Sequence, residues 1–366
     1  MSIIQYHEEL GRNVRGGSYD DLQVSTYQLI VEAITAADFG EAGRLMDYFM
    51  DEALVCKNLF DQWIGDTEKY ILFKGYGHER LETLKNEVNA VIDLDRARAR
   101  WNRDDGWAKV TNGKAAFDEL LANKSSGLLC DKLDVVKEDW RVSHDLDVDY
   151  LMGLYDGILR EYGEDSIREM YEEHTIKDWF EKRYQRFDVS NHDWSDCYPL
   201  LTFLSFEAMH GHLCGKARNG DVEYQEFEDR IELEFDPCGS GGRAYRGEPI
   251  EGTGSRMQPP YGFQAIQGAH DFTWNKKGVC TYCAHCCILT EKMPAQEFGY
   301  PVRIIEPPTY PHHADAKCKY IIYKDLNDIP EHYYARIGMK KPSREQGLGS
   351  KAGPFERLRI IDKGEQ

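Results

Sequence analysis

A change of period near Gly215 constrains the fold more than any other feature of this chain. Before it, apolar residues return at three and four positions, the spacing of one helix face; beyond it, in RIELEF, Ile231, Leu233 and Phe235 alternate with charged residues, as in a strand with one wet face. A chain that makes this switch without internal repeats is expected to be α+β, with an N-terminal helical region and a C-terminal domain built on a short antiparallel sheet and a cysteine-rich helix. The expected divisions are a helical region over 1–140, an α+β metal- or ligand-binding domain over 141–338, and an extended tail over 339–366.

Within the helical part, residues 20–65 read as two adjoining helices interrupted at Gly40, and residues 79–101 as a further helix with one charged face. The stretch WNRDDGWAKVTNGK, over 101–114, has the Gly and Asp/Asn punctuation of a loop anchored by its tryptophans. Leu151, Leu154, Tyr155, Ile158 and Leu159 form one stripe; Gly163 ends that helix, and Glu164 and Asp165 supply the acidic first turn of the next. PLLTFLSFEAMHGHLCG is apolar on nearly every side, which marks a buried helix ending in His210, His212 and Cys214. Val302 to Glu306 and Tyr320 to Tyr323 are expected strands, and VCTYCAHCCILTEKMPAQEFG an expected helix of about four turns closed by Gly299.

Charge and length narrow the functional classes. With 45 basic against 64 acidic side chains the net charge is -19, which repels a polyanion, so nucleic acid is not an expected partner. No apolar run approaches the ~20 residues of a membrane span, and the start MSIIQYHEEL lacks the segments of a signal peptide. These features point to a cytoplasmic protein without a membrane partner, and association into a homo-oligomer stays open.

Cysteines in such a chain are expected to be reduced thiols, so their clustering speaks for metal or redox chemistry. Cys214, Cys238, Cys280, Cys283, Cys286, Cys287 and Cys318 fall within about a hundred residues. On a helix Cys280, Cys283 and Cys287 share a face, Cys286 lies three positions from Cys283, and His285 stands among them. Cys238 and Cys318, each beside a strand, are the expected donors of a remaining ligand for zinc or an iron-sulfur cluster, which spacing does not separate. A disulfide-forming CxxC pair and simple packing of thiols are the competing readings.

Two further constellations stand out. His210 and Cys214 have the i, i+4 spacing of a shared helix face, with His212 between them; histidines bonded to backbone carbonyls at a helix end are the alternative. In DPCGSGGR, Gly239, Ser240, Gly241 and Gly242 leave N–H groups open to an anion and Arg243 adds a bidentate donor, unless the glycines only reverse the chain. His270, Glu291, His312 and His313 are single residues that would serve beside a bound metal.

The words HGHLC resemble the start of the histidine-cysteine motif in the E subunit family of formylmethanofuran dehydrogenase, with Gly215 where that family has proline. From Glu228 onward, the succession of strand, cysteine turn, cysteine-bearing helix, VRIIEPP and AKCKYIIYK resembles the C-terminal half of vinyl-reductase-type small-molecule-binding domains and of 2-aminothiazoline-4-carboxylate hydrolase-like proteins. This resemblance implies a compact α/β unit that binds a small organic ligand.

Together these readings lead to a metal-dependent enzyme acting on a small polar, anionic metabolite by hydrolase or lyase chemistry. Thiolates would hold the metal; His210, His212, His270 or Cys238 would serve the reaction; Arg243 and the glycine turn would hold the substrate. An iron-sulfur oxidoreductase and a non-catalytic sensor of a small molecule or metal are the alternatives.

Overall fold

The computed structural model describes residues 3–94, 103–248, 250–311 and 317–343. An N-terminal hairpin of β1 (Ile4–His7) and β2 (Arg12–Arg15) leads through α1 (Tyr19–Leu22) into a helical assembly. Its members are α2 (Thr26–Thr35), α3 (Phe39–Phe73), α4 (His78–Asp93), α5 (Arg103–Ala122), α6 (Ser126–Tyr162), α7 (Glu164–Glu169), α8 (Lys177–Tyr184) and α9 (Trp194–Gly211). The sheet follows: β3 (Glu223–Glu226), β4 (Arg230–Phe235), β7 (Ile304–Glu306) and β8 (Cys318–Tyr323) pair in the order β3-β4-β8-β7, every pair antiparallel. The short α10 (Gly241–Arg246), a two-stranded pair of β5 (Ala265–Ile266) and β6 (Val279–Cys280), α11 (Met293–Phe298) and α12 (Glu331–Ala335) complete an α+β chain.

Local chemistry explains most boundaries. Ala37 takes a positive φ of 56° and Asp38 caps α3 through the Glu41 N–H, so the break between α2 and α3 falls before Gly40, which lies inside α3. Strand β4 buries Ile231, Leu233 and Phe235 and leaves the intervening residues partly wet, as its alternation requires. Helix α9 is buried on nearly all sides, and the Trp194 indole N–H at its start donates to the Tyr323 carbonyl of β8 at 2.8 Å.

Three expectations are corrected here. Helix α4 stops at Asp93, short of residue 101. Residues 103–114, expected as a loop, belong to α5: a side chain at Gly106 would run into Ser143, and one at Gly113 into Val136, so these glycines let α5 lie close on α6. Trp107 does anchor this stretch, edge-on to Trp140 at 5.7 Å, while Trp101 lies outside the described residues. Helix α6 runs unbroken through residue 140, and one continuous core extends from Val14 to Ile337, so the boundary placed there divides a shared helix. Of the tail only residues 339–343 are described. Among the described residues no helix is long and apolar enough to cross a membrane.

The centre of α6 is unusual in burying Arg141, His144, Asp145, Asp147 and Asp149. Asp145 meets Arg218 at 2.8 Å, Asp149 meets Arg243 at 2.6 Å and Arg256 at 3.0 Å, and Glu248 pairs with Arg218. Asp147 is less well served. Arg103 approaches it at 3.4 Å and Lys57 at 3.9 Å, and burial pushes its pKa up to about 6. A carboxyl raised above its unfolded value of roughly 3.9 imposes no penalty below about pH 4, where both states hold the proton. The penalty grows from there to about pH 6 and is complete above it. Asp147→Asn is therefore expected to raise stability by roughly 2 kcal/mol above pH 6 and by little near pH 3.5. Urea unfolding at the two pH values checks this, and a variant less stable than wild type at pH 7 would contradict it.

Candidate functional site

The expected helix closed by Gly299 is present but starts after the first cysteines: Val279 and Cys280 belong to β6, residues 281–283 form a turn, and a continuous helical run over 284–298, π-helical over Cys286–Lys292, ends in α11. Cys280, Cys283 and Cys287 therefore do not share one helical face. The Cys287 sulfur reaches the Asp271 carbonyl at 3.4 Å, whereas Cys280 is fully buried and its backbone N–H meets the Tyr245 hydroxyl. Among the described residues no three His, Cys, Asp or Glu side chains are arranged to hold a metal ion.

The same segment forms one wall of a partly open pocket with two adjoining lobes. The larger, about 90 Å³, lies between α3, α8, α9 and the π-helical stretch, with Trp63, Trp179, Phe180 and Tyr184 among its walls. The smaller, about 50 Å³, is lined by Cys238, Ser240, Cys283 and Cys318 together with Gly241 and Gly242. His212, Tyr282, His285 and Cys286 line both lobes, so the chemically capable groups sit where the lobes meet.

At that junction two imidazoles are held in defined ways. The His285 Nδ1 lies 2.5 Å from the Tyr282 carbonyl oxygen, which can only accept, so Nδ1 carries the proton and Nε2 presents a lone pair. The Cys286 thiol stands 3.4 Å from that Nε2. Edge-on contact with Trp63, at 4.7 Å between ring centres, fixes the ring. Burial lowers the His285 pKa to about 4 and, with Cys238 adding to it and Arg303 opposing it, pushes the Cys286 thiol up to about 12. The pair rests as neutral thiol and neutral imidazole. Sulfur becomes a nucleophile only as its proton passes to His285.

His212, the last residue before α9 yields to the loop, ends a second chain of contacts. Asp145 Oδ1 lies 2.9 Å from His144 Nδ1, and His144 Nε2 lies 2.8 Å from His212 Nδ1; the Ser240 hydroxyl is 3.2 Å from that same Nδ1. Burial lowers the pKa of both histidines, that of His212 well below the usual value.

The larger lobe is lined by two carboxylates, Glu52 and Glu207, and two guanidiniums, Arg183 and Arg303. Glu207 is already matched by Arg12, at 2.7 and 2.5 Å, and by the Tyr48 hydroxyl at 2.5 Å. Arg303 donates to Ser205 and Tyr184 and keeps a buried Nε without a partner among the described residues. The Arg183 guanidinium, over the Trp179 ring at 5.0 Å, makes no hydrogen bond or ion pair among the described residues. Burial lowers its pKa, and an unpaired guanidinium on a cavity wall is ready for an anion.

Of the residues singled out from the sequence, His212, Cys238, Ser240, Gly241, Gly242, Cys283, His285, Cys286 and Cys318 come together around this cavity. Others do not. His210 has both ring nitrogens committed, to Glu52 at 3.0 Å and the Leu22 carbonyl at 2.9 Å, and Cys214 is bonded to the Asp221 carbonyl. His270 is paired with Glu164 at 2.5 Å and Glu291 with Arg336 at 2.8 Å, neither on a cavity wall. Arg243 is turned into the ion cluster, so it is not the substrate clamp. Gly239 packs under the His212 carbonyl, where a Cβ would come within 1.7 Å of the oxygen. His312 and His313 lie outside the described residues.

The functional groups missed are His144, Asp145, Arg183, Glu207 and Arg303. For the first two a signal existed: Arg141, His144, Asp145 and Asp149 form a polar stripe at helical spacing along α6. Arg183 sits in EKRYQRF, where nothing separates it from its neighbours. Compared with protein-family models, with curated proteins and with solved structures, the chain matches none of them.

Proposed function

We propose that this chain is an enzyme that encloses a small organic anion in the two-lobed cavity and cleaves it by thiol-imidazole chemistry, in a hydrolase or lyase reaction. The observation that carries this reading is the Cys286-His285 pair at the junction of the lobes, with the Arg183 guanidinium, which makes no hydrogen bond or ion pair among the described residues, in the wall of the larger one. Arg183 would hold the anionic group, the aromatic walls a flat body, and Cys286 would attack an electrophilic carbon while His285 Nε2 takes its proton. The volumes favour a substrate no larger than a small ring acid, since engineered cavities of about 150 Å³ hold benzene.

The test is affinity labelling. Bromoacetate, a small anion carrying an electrophilic carbon, is expected to alkylate Cys286 ahead of the other thiols, and benzoate is expected to protect it. Peptide mass mapping of wild type and His285→Phe reads the result; labelling spread over the other thiols, or unaffected in the variant, would sink the proposal. Labelling and protection without turnover of any small amide, ester or heterocyclic acid would favour a sensor.

A second reading rests on Cys238, Cys283, Cys286 and Cys318 sharing the smaller lobe. Rearranged side chains would let these thiols hold zinc or an iron-sulfur cluster, which would supply Lewis-acid or electron-transfer chemistry. Elemental analysis and a visible spectrum on protein purified without oxygen decide it. Stoichiometric zinc, or iron with sulfide, lost in Cys283→Ser, would favour this reading over the metal-free one.

A further inference from the structure

We infer that His212 is a second acid-base group of this site, and that Asp145 and His144 are positioning residues that fix its tautomer. The inference rests on the cavity being the reaction site, as proposed above. Its own support is a directional chain of buried contacts. Asp145 is held by Arg218 through both oxygens, at 2.8 and 3.1 Å, and by Arg141 at 3.3 Å, so its oxygens act as acceptors. The His144 Nδ1, 2.9 Å away, must then donate. A neutral imidazole that donates from Nδ1 has only a lone pair on Nε2, so across the 2.8 Å contact it is His212 Nδ1 that carries the proton. The Ser240 oxygen at 3.2 Å can share that proton as an additional acceptor. His212 is left with a bare Nε2, the one ring nitrogen not consumed by the chain, on a residue that lines both lobes.

Each contact rejects the opposite tautomer. If His212 carried its proton on Nε2, its Nδ1 and His144 Nε2 would face one another as two lone pairs, unless His144 gave up its bond to Asp145. Phe60 confines both rings edge-on, with centroids 5.2 Å from His144 and 5.8 Å from His212, and Trp140 borders His144 from another side at 5.6 Å. The arrangement separates the work of the two histidines. His285 serves the thiol: it takes the sulfur's proton as the carbon-sulfur bond forms and passes it to the leaving group as the bond from carbon to that group breaks with its electron pair going to the group. His212 serves water: its Nε2 takes a proton from water as the oxygen bonds to the carbon carried by Cys286, the carbon-sulfur bond breaks with its electron pair going to sulfur, and the sulfur recovers that proton from His212. No proton or electron is left over.

Nitrogen-15 labelling of histidine with long-range proton-nitrogen correlation reads the tautomer directly, and His212→Gln identifies the His212 signals. In wild type at pH 7.5 His212 is expected as the Nδ1–H form with a non-protonated Nε2. His144→Phe removes the acceptor while keeping a ring, and is expected to abolish the preference for Nδ1–H. His144→Gln, whose amide oxygen can reach the place of Nε2, is expected to restore it. A wild-type His212 protonated on Nε2, or a tautomer that does not respond to His144→Phe, would overturn the inference; should that variant not fold, wild type and His144→Gln still decide. Failure of bromoacetate to find Cys286 would count against the site reading alone, because the tautomer is measured without any ligand.

Discussion

Replacing Arg183 by leucine is expected to weaken binding of benzoate by roughly 10- to 100-fold, the 1.5–3 kcal/mol of a hydrogen bond to a charged group in a dry site. Benzamide, of nearly the same shape and without charge, should bind the variant and wild type alike. The asymmetry follows from how the other charges of the lobe are spent. Glu207 stays matched by Arg12 and Tyr48, and Arg303 stays tied to Ser205 and Tyr184, so loss of Arg183 removes the guanidinium that no hydrogen bond or ion pair occupies among the described residues. Leucine keeps the inner, apolar half of the side chain, and the cation-π contact with Trp179 that it loses is worth about 0.5–1 kcal/mol. Titration calorimetry with both ligands measures the difference. Equal affinity of wild type for benzoate and benzamide would show that Arg183 does not select charge.

Gly239→Ala is expected to be the most damaging single-methyl addition at the site. The new Cβ would stand 1.7 Å from the His212 carbonyl oxygen and 2.8 Å from its carbon, backbone atoms that cannot rotate away. Relieving the overlap requires the turn and the end of α9 to part by more than an ångström, at a cost of several kcal/mol. The displaced residue is His212, so its contacts with His144 and Ser240 should lengthen together. Thermal unfolding should show a fall of several degrees or more, and the His212 nitrogen signals should shift even where the variant remains folded. A Gly239→Ala protein with wild-type stability would mean that the turn can yield without loss.

The glycine turn also shows where sequence reading carries and where it fails. That DPCGSGGR matters was legible, because so many glycines after a strand signal backbone in an unusual position. Their purpose was not. Gly239 and Gly241 admit the His212 carbonyl and the Cys283 sulfur, and Arg243 answers Asp149, a partner ninety-four positions away that no local pattern announces. The strand RIELEF was read to the residue, and the buried helix α9 was found, although it runs over Trp194–Gly211 rather than 199–215. The cysteine segment was misread because spacing of three and four residues fits a helix while the pairing of Cys280 with Ala265 depends on a distant strand. Likewise α5 looked like a loop, since glycines needed for close helix contact and glycines needed for turns are the same letter.

The widened turn over Cys286–Lys292 bears on how this site tolerates changes in chain length. A π-helical turn holds one residue more than an α-helical turn, and it packs here against a second such turn at Met170–His174. Removing one residue from the first would let the segment close into an ordinary α-helix without breaking the chain. Everything on its N-terminal side would then rotate by about 100° relative to α11. Cys286 and His285 would swing off the cavity together, and the fold could persist around a hollow without the Cys286-His285 pair. Whether this scaffold does chemistry or only holds a ligand thus hangs on a single codon's worth of length, a far smaller step than the replacement of a catalytic set one residue at a time.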